Sequence, residues 1–171
     1  MAQGNFIARV LRHRWLDESD TRKAIAPAVV QRLTGRVAAS EKRHTGEVRI
    51  YVEAGLPMSY LWRKATARER AAAMFGKLRV WDTEQNNGVL IYLLLAERAI
   101  EIVADRAVDR LVPAGEWQAI VARMGAALRE GRFEDGITQA LEEVSALLVA
   151  HFPAVEGDEN INELPDEPVL G

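Results

Sequence analysis

A short, continuous apolar run constrains the fold of this chain more than any other feature. Residues 88–95 read GVLIYLLL. The run is too short for most helices and is rich in residues that favour β-structure. It therefore predicts a central strand that is buried on both faces, as in sheets covered by helices on both sides.

Two further strands are predicted around it. Residues 47–53 alternate polar and apolar side chains, which is typical of a strand with one buried face. On this interpretation Glu47 and Glu53 lie on the polar face and have a surface role. Residues 99–103 follow the central strand after a turn at Glu97-Arg98, and so short a connection requires an antiparallel hairpin.

Four helices complete the predicted order α-β-α-β-β-α-α. They run from Ser19 or Asp20 to about Lys42, from a capping box at Thr66, from about Pro113 to Arg129, and from about Glu134 to His151. The first strand, the second helix and the central strand can form a right-handed parallel crossover. The predicted fold is α/β: a three-layer α/β/α sandwich around a mixed sheet with short central strands.

The chain divides into three parts. Residues 19–153 form the predicted domain. Residues 1–18 are basic and amphipathic; the favoured interpretation is a segment folded back on the domain, and the alternative is a helix that docks on a membrane surface or a partner. Residues 154–171 are acidic and contain prolines, which predicts an extended and mostly mobile tail.

Composition and missing motifs exclude several function classes. A formal charge of −3 and 6% aromatic residues argue against nucleic-acid binding. The absence of cysteine excludes thiolate chemistry and iron–sulfur clusters, and the three dispersed histidines do not predict a zinc site. No GxGxxG, P-loop or GxSxG sequence occurs, so no nucleotide or redox cofactor is predicted.

The pattern of charge and hydropathy predicts a cytoplasmic protein. The N-terminal residues mix arginine with apolar side chains and do not resemble a signal peptide. The longest strongly apolar run is far shorter than the ~20 residues of a membrane-spanning helix. The basic N-terminal segment leaves open a peripheral position at the inner membrane.

Oxygen-bearing side chains gather before and after the predicted hairpin. Asp82, Glu84, Asn86 and Asn87 precede the central strand, and Asp105 follows the next strand. In an antiparallel pair the start of one strand and the end of the other share one sheet edge. Such ligands suit Ca²⁺ or Mg²⁺, and the predicted metal ligands are Asp82, Asn86, Asn87 and Asp105. The alternative is an ordinary Asn-Gly turn with solvated acidic neighbours.

Several segments together resemble the TPM-domain family, in particular its soluble bacterial branch. They are residues 41–50, 86–91, 102–105, 131–137 and 162–165. The resemblance implies a Rossmann-like α/β/α sandwich and a divalent metal site, usually for calcium. Acid-phosphatase activity has been suggested for plant members and assembly roles for others. Two departures are the lack of a membrane anchor and the presence of Ala104 and Ala107 where the family often has glycine.

Three functional hypotheses follow. The first is a Ca²⁺- or Mg²⁺-binding module that acts through protein partners, one of which could be a membrane protein. The second is a weak metal-dependent phosphatase, and the third is a peripheral membrane adaptor that uses the N-terminal segment. Trp117 and Trp81 are interpreted as core residues, whereas Trp62 lies in a predicted loop where an exposed aromatic ring would indicate partner binding.

Overall fold

A computed structural model describes residues 2–155, 157 and 161–171. The helices of this part are α1 (Ala2–Trp15), α2 (Glu18–Ala24), α3 (Pro27–Glu41), α4 (Met58–Trp62), α5 (Ala67–Lys77), α6 (Arg106–Leu111), α7 (Ala114–Arg129) and α8 (Phe133–His151). The strands are β1 (Val48–Glu53), β2 (Val89–Leu94), β3 (Ala99–Ala104) and β4 (Val169–Leu170). A single 3₁₀ turn, Leu95–Glu97, joins β2 to β3.

The four strands form one mixed sheet in the order β3-β2-β1-β4. β1 and β2 are parallel, with Val48 opposite Val89, and β2 and β3 are antiparallel, with Val89 opposite Ala104. The predicted crossover and hairpin are therefore confirmed. β4 pairs in parallel with the outer side of β1, where Tyr51 lies opposite Val169.

Helices cover both faces of this sheet, which confirms the α/β/α sandwich. The larger core lies between one sheet face and helices α3, α7 and α8; its members include Val37, Ile50, Ile91, Met124 and Val144. The smaller core lies between the other face and α5; its members include Leu90, Tyr92, Leu94, Ala71 and Met74. Every side chain of β2 is buried, as the apolar run predicted.

The first predicted helix is two helices. α2 ends at Ala24 and α3 begins at Pro27, which has no N–H to donate and so cannot sit within a continuous helix. The helix also starts slightly earlier than predicted, because the Asp17 carboxylate accepts the Ser19 N–H and caps α2. The short helices α4 and α6 were not predicted, since each is too short to show a periodic apolar pattern.

The predicted polar face of β1 is wrong, because both of its glutamates are buried. Glu53 accepts three hydrogen bonds from Arg70 of α5, at 3.2, 2.9 and 2.6 Å, and one from the Tyr92 hydroxyl at 2.7 Å. Glu47 accepts the backbone N–H groups of Glu163 and Leu164 at 3.1 and 3.2 Å. Each carboxyl group thus accepts hydrogen bonds, as burial of a polar group requires.

The C-terminal residues 161–171 pack against the domain, which their composition did not predict. Leu164 is buried in the smaller core, and the last residues add β4 to the sheet. Gly171 completes the pairing: its N–H donates to Val52 O at 2.8 Å, and its carbonyl accepts the Ala54 N–H at 2.9 Å. Residues 156 and 158–160 of the predicted tail lie outside the described residues.

The N-terminal helix α1 lies against the domain. Arg9 Nε donates to Glu97 Oε1 at 2.8 Å, and His13 Nδ1 accepts the Leu56 N–H at 2.9 Å. Since His13 Nδ1 is an acceptor, its Nε2 carries the proton that faces Glu97. Among the described residues, no helix has the length and apolarity needed to cross a bilayer.

Candidate metal site at the sheet edge

The start of β2 and the end of β3 meet at one edge of the sheet. The Asp105 N–H donates to Gly88 O at 2.8 Å, and the Ala107 N–H donates to Asn86 O at 3.0 Å. These two bonds tie the segment Asn86-Asn87-Gly88 to the junction of β3 and α6. The structure thus brings three of the four predicted ligands, Asn86, Asn87 and Asp105, to the same edge.

Two side-chain oxygens at this edge are buried and accept no hydrogen bond from the described residues: Asn87 Oδ1 and Asp105 Oδ2. Asn87 is fully buried, and its Nδ2 donates to Thr45 O at 3.1 Å. The other oxygen of Asp105 caps α6 by accepting the Arg106 N–H at 2.7 Å. An unpaired buried polar atom costs about 1–3 kcal/mol. Carboxylate and amide oxygens are of the type that Ca²⁺ and Mg²⁺ prefer as ligands.

The Asn-Gly pair does more than form a turn. Asn86, not Gly88, takes the left-handed conformation, with φ at 53°. Gly88 is required for space, because a Cβ there would lie 2.0 Å from the Val80 carbonyl oxygen. Close approach of backbone to backbone, and not a positive φ, thus explains this glycine.

Arg106 lies beside the candidate site. Its Nη2 donates to Asn86 Oδ1 at 2.9 Å, and its Nε is 4.0 Å from Asp105 Oδ1. The side chain is 76% exposed, so it can turn away without loss of core packing. In its present position the guanidinium donates a hydrogen bond to Asn86 Oδ1, and its positive charge opposes the binding of a cation at this edge.

Asp82, the fourth predicted ligand, is exposed. Its carboxylate lies 3.9 Å from Arg79, and within the described ranges no hydrogen bond or ion pair joins it to Asn86, Asn87 or Asp105. The described part of the chain also holds no group of three or more histidine, aspartate or glutamate side chains arranged for a metal. The candidate site therefore depends on one carboxylate and neutral oxygens.

Two buried polar residues at the same edge, Glu41 and His44, were not predicted from the sequence. Glu41 Oε1 accepts the Val48 N–H at 2.9 Å, and burial raises the pKa of its carboxyl to about 8. Burial lowers the pKa of His44 to about 4, and its ring contacts Gly46 O through Nδ1 and Ser40 Oγ through Nε2. Both residues stand in segment 41–50, whose resemblance to the family was the only available signal.

Glu47 belongs to this edge as well. Burial raises the pKa of its carboxyl, against the effect of the backbone N–H groups of Glu163 and Leu164. Its own carbonyl accepts the Val89 N–H at 2.8 Å. The Glu163 carboxylate in turn accepts the Glu84 N–H at 3.0 Å. The C-terminal segment thus contacts the loop that precedes the two asparagines.

The burial of the tryptophan side chains differs in part from the prediction. Trp117 packs partly buried against the larger core, as expected. Trp81 is 48% exposed, so its core assignment is wrong; its Nε1 donates to Gly76 O at 3.3 Å. Trp62 is 69% exposed and contacts the Phe6 ring at 6.3 Å between centroids.

The fold and the edge together define the class of protein: a Rossmann-like α/β/α domain whose polar site lies at the amino ends of its parallel strands. The family model of the TPM domain matches residues 19–147, and the chain belongs to this family. The resemblance seen in the sequence is thereby confirmed.

Solved structures show the same fold. The NMR structure of the BA42 protein from the psychrophilic bacterium Bizionia argentinensis superimposes with a TM-score of 0.73 at 23% identity, covering 84% of this chain and 93% of that one. The N-terminal domain of a P. gingivalis protein gives a TM-score of 0.62 at 18% identity, covering 77% and 82%. A comparison with curated proteins finds no match.

Proposed function

We propose that this TPM-domain protein is a divalent-metal-binding module that acts through protein partners, with Ca²⁺ or Mg²⁺ at the edge formed by β2 and β3. One observation carries the proposal: Asn87 Oδ1 and Asp105 Oδ2 are buried at this edge without a hydrogen-bond donor. Asp105 supplies the negative charge, and Asn87 supplies a neutral oxygen in a fixed orientation.

The oxygen ligands of the proposed site predict weak metal binding. Ca²⁺ takes 6–8 oxygen ligands, and its affinity decreases when fewer of these ligands are charged. A site with one carboxylate belongs with the weakest calcium sites, whose Kd values are on the order of 10⁻⁴–10⁻³ M. Such a site suits a module whose partner binding responds to metal, and it does not by itself supply a nucleophile or a base.

The test is a titration of the ¹⁵N-labelled protein with CaCl₂ and with MgCl₂, followed by NMR. We expect amide shifts at residues 86–88 and 104–107, and loss of the response in Asp105→Asn. This variant keeps an oxygen that can cap α6 but removes the charge. The matched control is Asp109→Asn, at an exposed position in the same short helix, which should respond as the parent does.

The site would be disproved if these shifts were absent at a metal concentration tenfold above a Kd of about 1 mM. An unchanged response in Asp105→Asn would also disprove it. Arg106→Gln provides a further check, because it removes a positive charge next to the cation. We expect its Kd for Ca²⁺ to fall about threefold or more at low salt, measured by calorimetry. Weaker binding would mean that the ion lies elsewhere.

A weak metal-dependent phosphatase is the alternative that the family resemblance supports. Hydrolysis of p-nitrophenyl phosphate in the presence of Mg²⁺ or Ca²⁺ tests it, with Asp105→Asn as the inactive control. Activity that survives in this variant would not come from the edge site. Metal binding without turnover supports the interaction module.

A peripheral membrane role has separate support in α1. Ile7, Leu11 and Trp15, spaced four residues apart, are exposed and form an apolar stripe on its outer side. The helix ends in basic residues and its sequence contains no acidic residue, which suits an anionic lipid surface. Sedimentation with phosphatidylserine vesicles should pellet the parent protein but leave Leu11→Ser in solution; equal pelleting would exclude this role.

A further inference from the structure

We propose that the open edge of β3 binds an extended peptide of a partner protein, which adds to the sheet beside β3 and places apolar side chains against α7 and a basic side chain at Glu101. This surface adjoins the metal site at the end of β3, but the proposal does not depend on that site. The inference rests on the hydrogen-bonding pattern of β3, the cleft beside it and the charges that line that cleft.

The backbone of β3 has one unpaired side. Asp105 donates to Gly88, its opposite residue, so this position is a hydrogen-bonded pair of the antiparallel ladder. Hydrogen-bonded and non-hydrogen-bonded pairs alternate along such a ladder. Ile100, Ile102 and Ala104 therefore direct their N–H and C=O groups away from β2, where the described residues provide no further strand.

Only one of these outward groups has a described partner: Arg68 donates to Ile102 O through Nη1. The Arg68 side chain is 56% exposed and comes from α5. A side chain on a sheet edge is a common means of discouraging uncontrolled strand pairing. Because this one is mostly in solvent, an incoming peptide N–H can displace it from the carbonyl.

A cleft of about 560 Å³ runs beside this edge. Ile102, Trp117 and Val121 provide its apolar wall, while Arg68 and Glu101 line the opposite side. A helix packed next to an open edge strand is the arrangement that receives peptides by strand addition. The two walls match the alternating directions of side chains on a strand.

Trp117 adds a polar anchor to the apolar wall. Its Nε1 is buried and donates no hydrogen bond to any described residue. A buried indole N–H usually has a partner, and a peptide carbonyl in the cleft would provide one. Within the described part of the chain no group accepts from this donor, whereas a bound strand would.

The charges of the cleft select a basic residue. Glu101 and Asp109 are acidic and Arg68 is basic, so the lining has a net negative charge. Burial raises the pKa of the Glu101 carboxyl, while Arg68 at 3.9 Å acts in the opposite direction. A lysine or arginine of the peptide would stabilise the ionised carboxylate. This complementarity favours an apolar and basic strand over a second copy of this acidic chain.

The experiment uses a capped seven-residue peptide in which lysine and valine alternate, added to the full-length ¹⁵N-labelled protein. We expect NMR shifts at the Trp117 indole N–H and slower hydrogen exchange at the amides of Ile100, Ile102 and Ala104. Two further peptides carry N-methyl groups on all valines or on all lysines. Since a strand pairs through alternate residues, one methylated peptide should lose binding and the other should keep it.

Ala122→Arg tests the location of the peptide. Ala122 is an exposed residue of α7 that lines the cleft, so arginine there adds bulk and repels lysine. We expect the peptide Kd to rise about tenfold or more. Ala126→Arg, one turn further along the same exposed helix side, is the matched control and should bind as the parent does.

Three results would overturn the proposal. The first is no shift at millimolar peptide, and the second is equal binding of both methylated peptides, which would show contact without strand pairing. The third is concentration-dependent dimerisation in sedimentation with the β3 amides already protected, which would identify a second copy of the chain as the occupant.

Discussion

The buried carboxyl of Glu41 gives a specific prediction about stability and pH. Burial raises its pKa from 4.5 to about 8 in the folded protein. Between these two pH values the folded state therefore holds a proton that the unfolded chain has already released. The contribution of this group to the free energy of unfolding is fully present below about pH 4.5 and is lost as the pH rises through about 8.

The size of the effect follows from these two pKa values. They differ by 3.5, and one pH unit corresponds to about 1.4 kcal/mol, so the upper limit is about 5 kcal/mol. We expect about 2–3 kcal/mol, because the protein responds to an ionised buried group by admitting water or turning the side chain. Glu41→Gln removes the titration but keeps an oxygen that can accept the Val48 N–H.

Urea unfolding at several pH values between 4.5 and 9, followed by tryptophan fluorescence, measures this effect. The free energy of unfolding of Glu41→Gln should exceed that of the parent increasingly as the pH rises. His44 acts in the opposite direction: its lowered pKa of about 4 makes stability fall on acidification below about pH 6.5. That slope is common to both proteins, so the difference between them isolates Glu41. Parallel curves would refute the reasoning.

Two further predictions concern backbone approach and the C-terminal segment. Gly88→Ala should lower the free energy of unfolding by at least about 2 kcal/mol, because its Cβ would lie 2.0 Å from Val80 O. Gly76→Ala in α5, where the added Cβ meets open space, should raise it by about 0.5–1 kcal/mol. Thermal unfolding compares the two variants, and equal effects would contradict the argument. Removal of residues 161–171 should lower the free energy of unfolding by at least about 2 kcal/mol, because the burial of Leu164 is lost. It should also speed amide hydrogen exchange along the β1 edge. An unchanged melting temperature would show that this segment does not stabilise the sheet.

Local sequence patterns were sufficient for most of the layer architecture. The apolar run at residues 88–95, the short turn at Glu97-Arg98 and the periodic helices predicted the central strand, the hairpin and the α/β/α order. The hairpin argument also placed Asp105 at the same edge as Asn86 and Asn87. Each of these inferences uses interactions between segments that are adjacent in the chain or joined by a short turn.

The errors arose where distant segments meet. Alternation in β1 correctly indicated two faces, but it could not show that Arg70 and the C-terminal residues would cover the face that holds Glu47 and Glu53. β4 has two residues, too few for a periodic pattern. Its place beside β1 depends on pairing across more than a hundred residues.

By itself, the sequence determined the order of the three main strands and the long helices around them, the hairpin and the family to which the chain belongs. Only the tertiary structure decided which polar groups are buried: the paired Glu53, the Glu41 carboxyl with its raised pKa, and the unpartnered oxygens of Asn87 and Asp105. The physical reason is that periodicity reports the direction of a side chain, whereas its burial, its pKa and its hydrogen bonds depend on what packs against it from elsewhere in the chain.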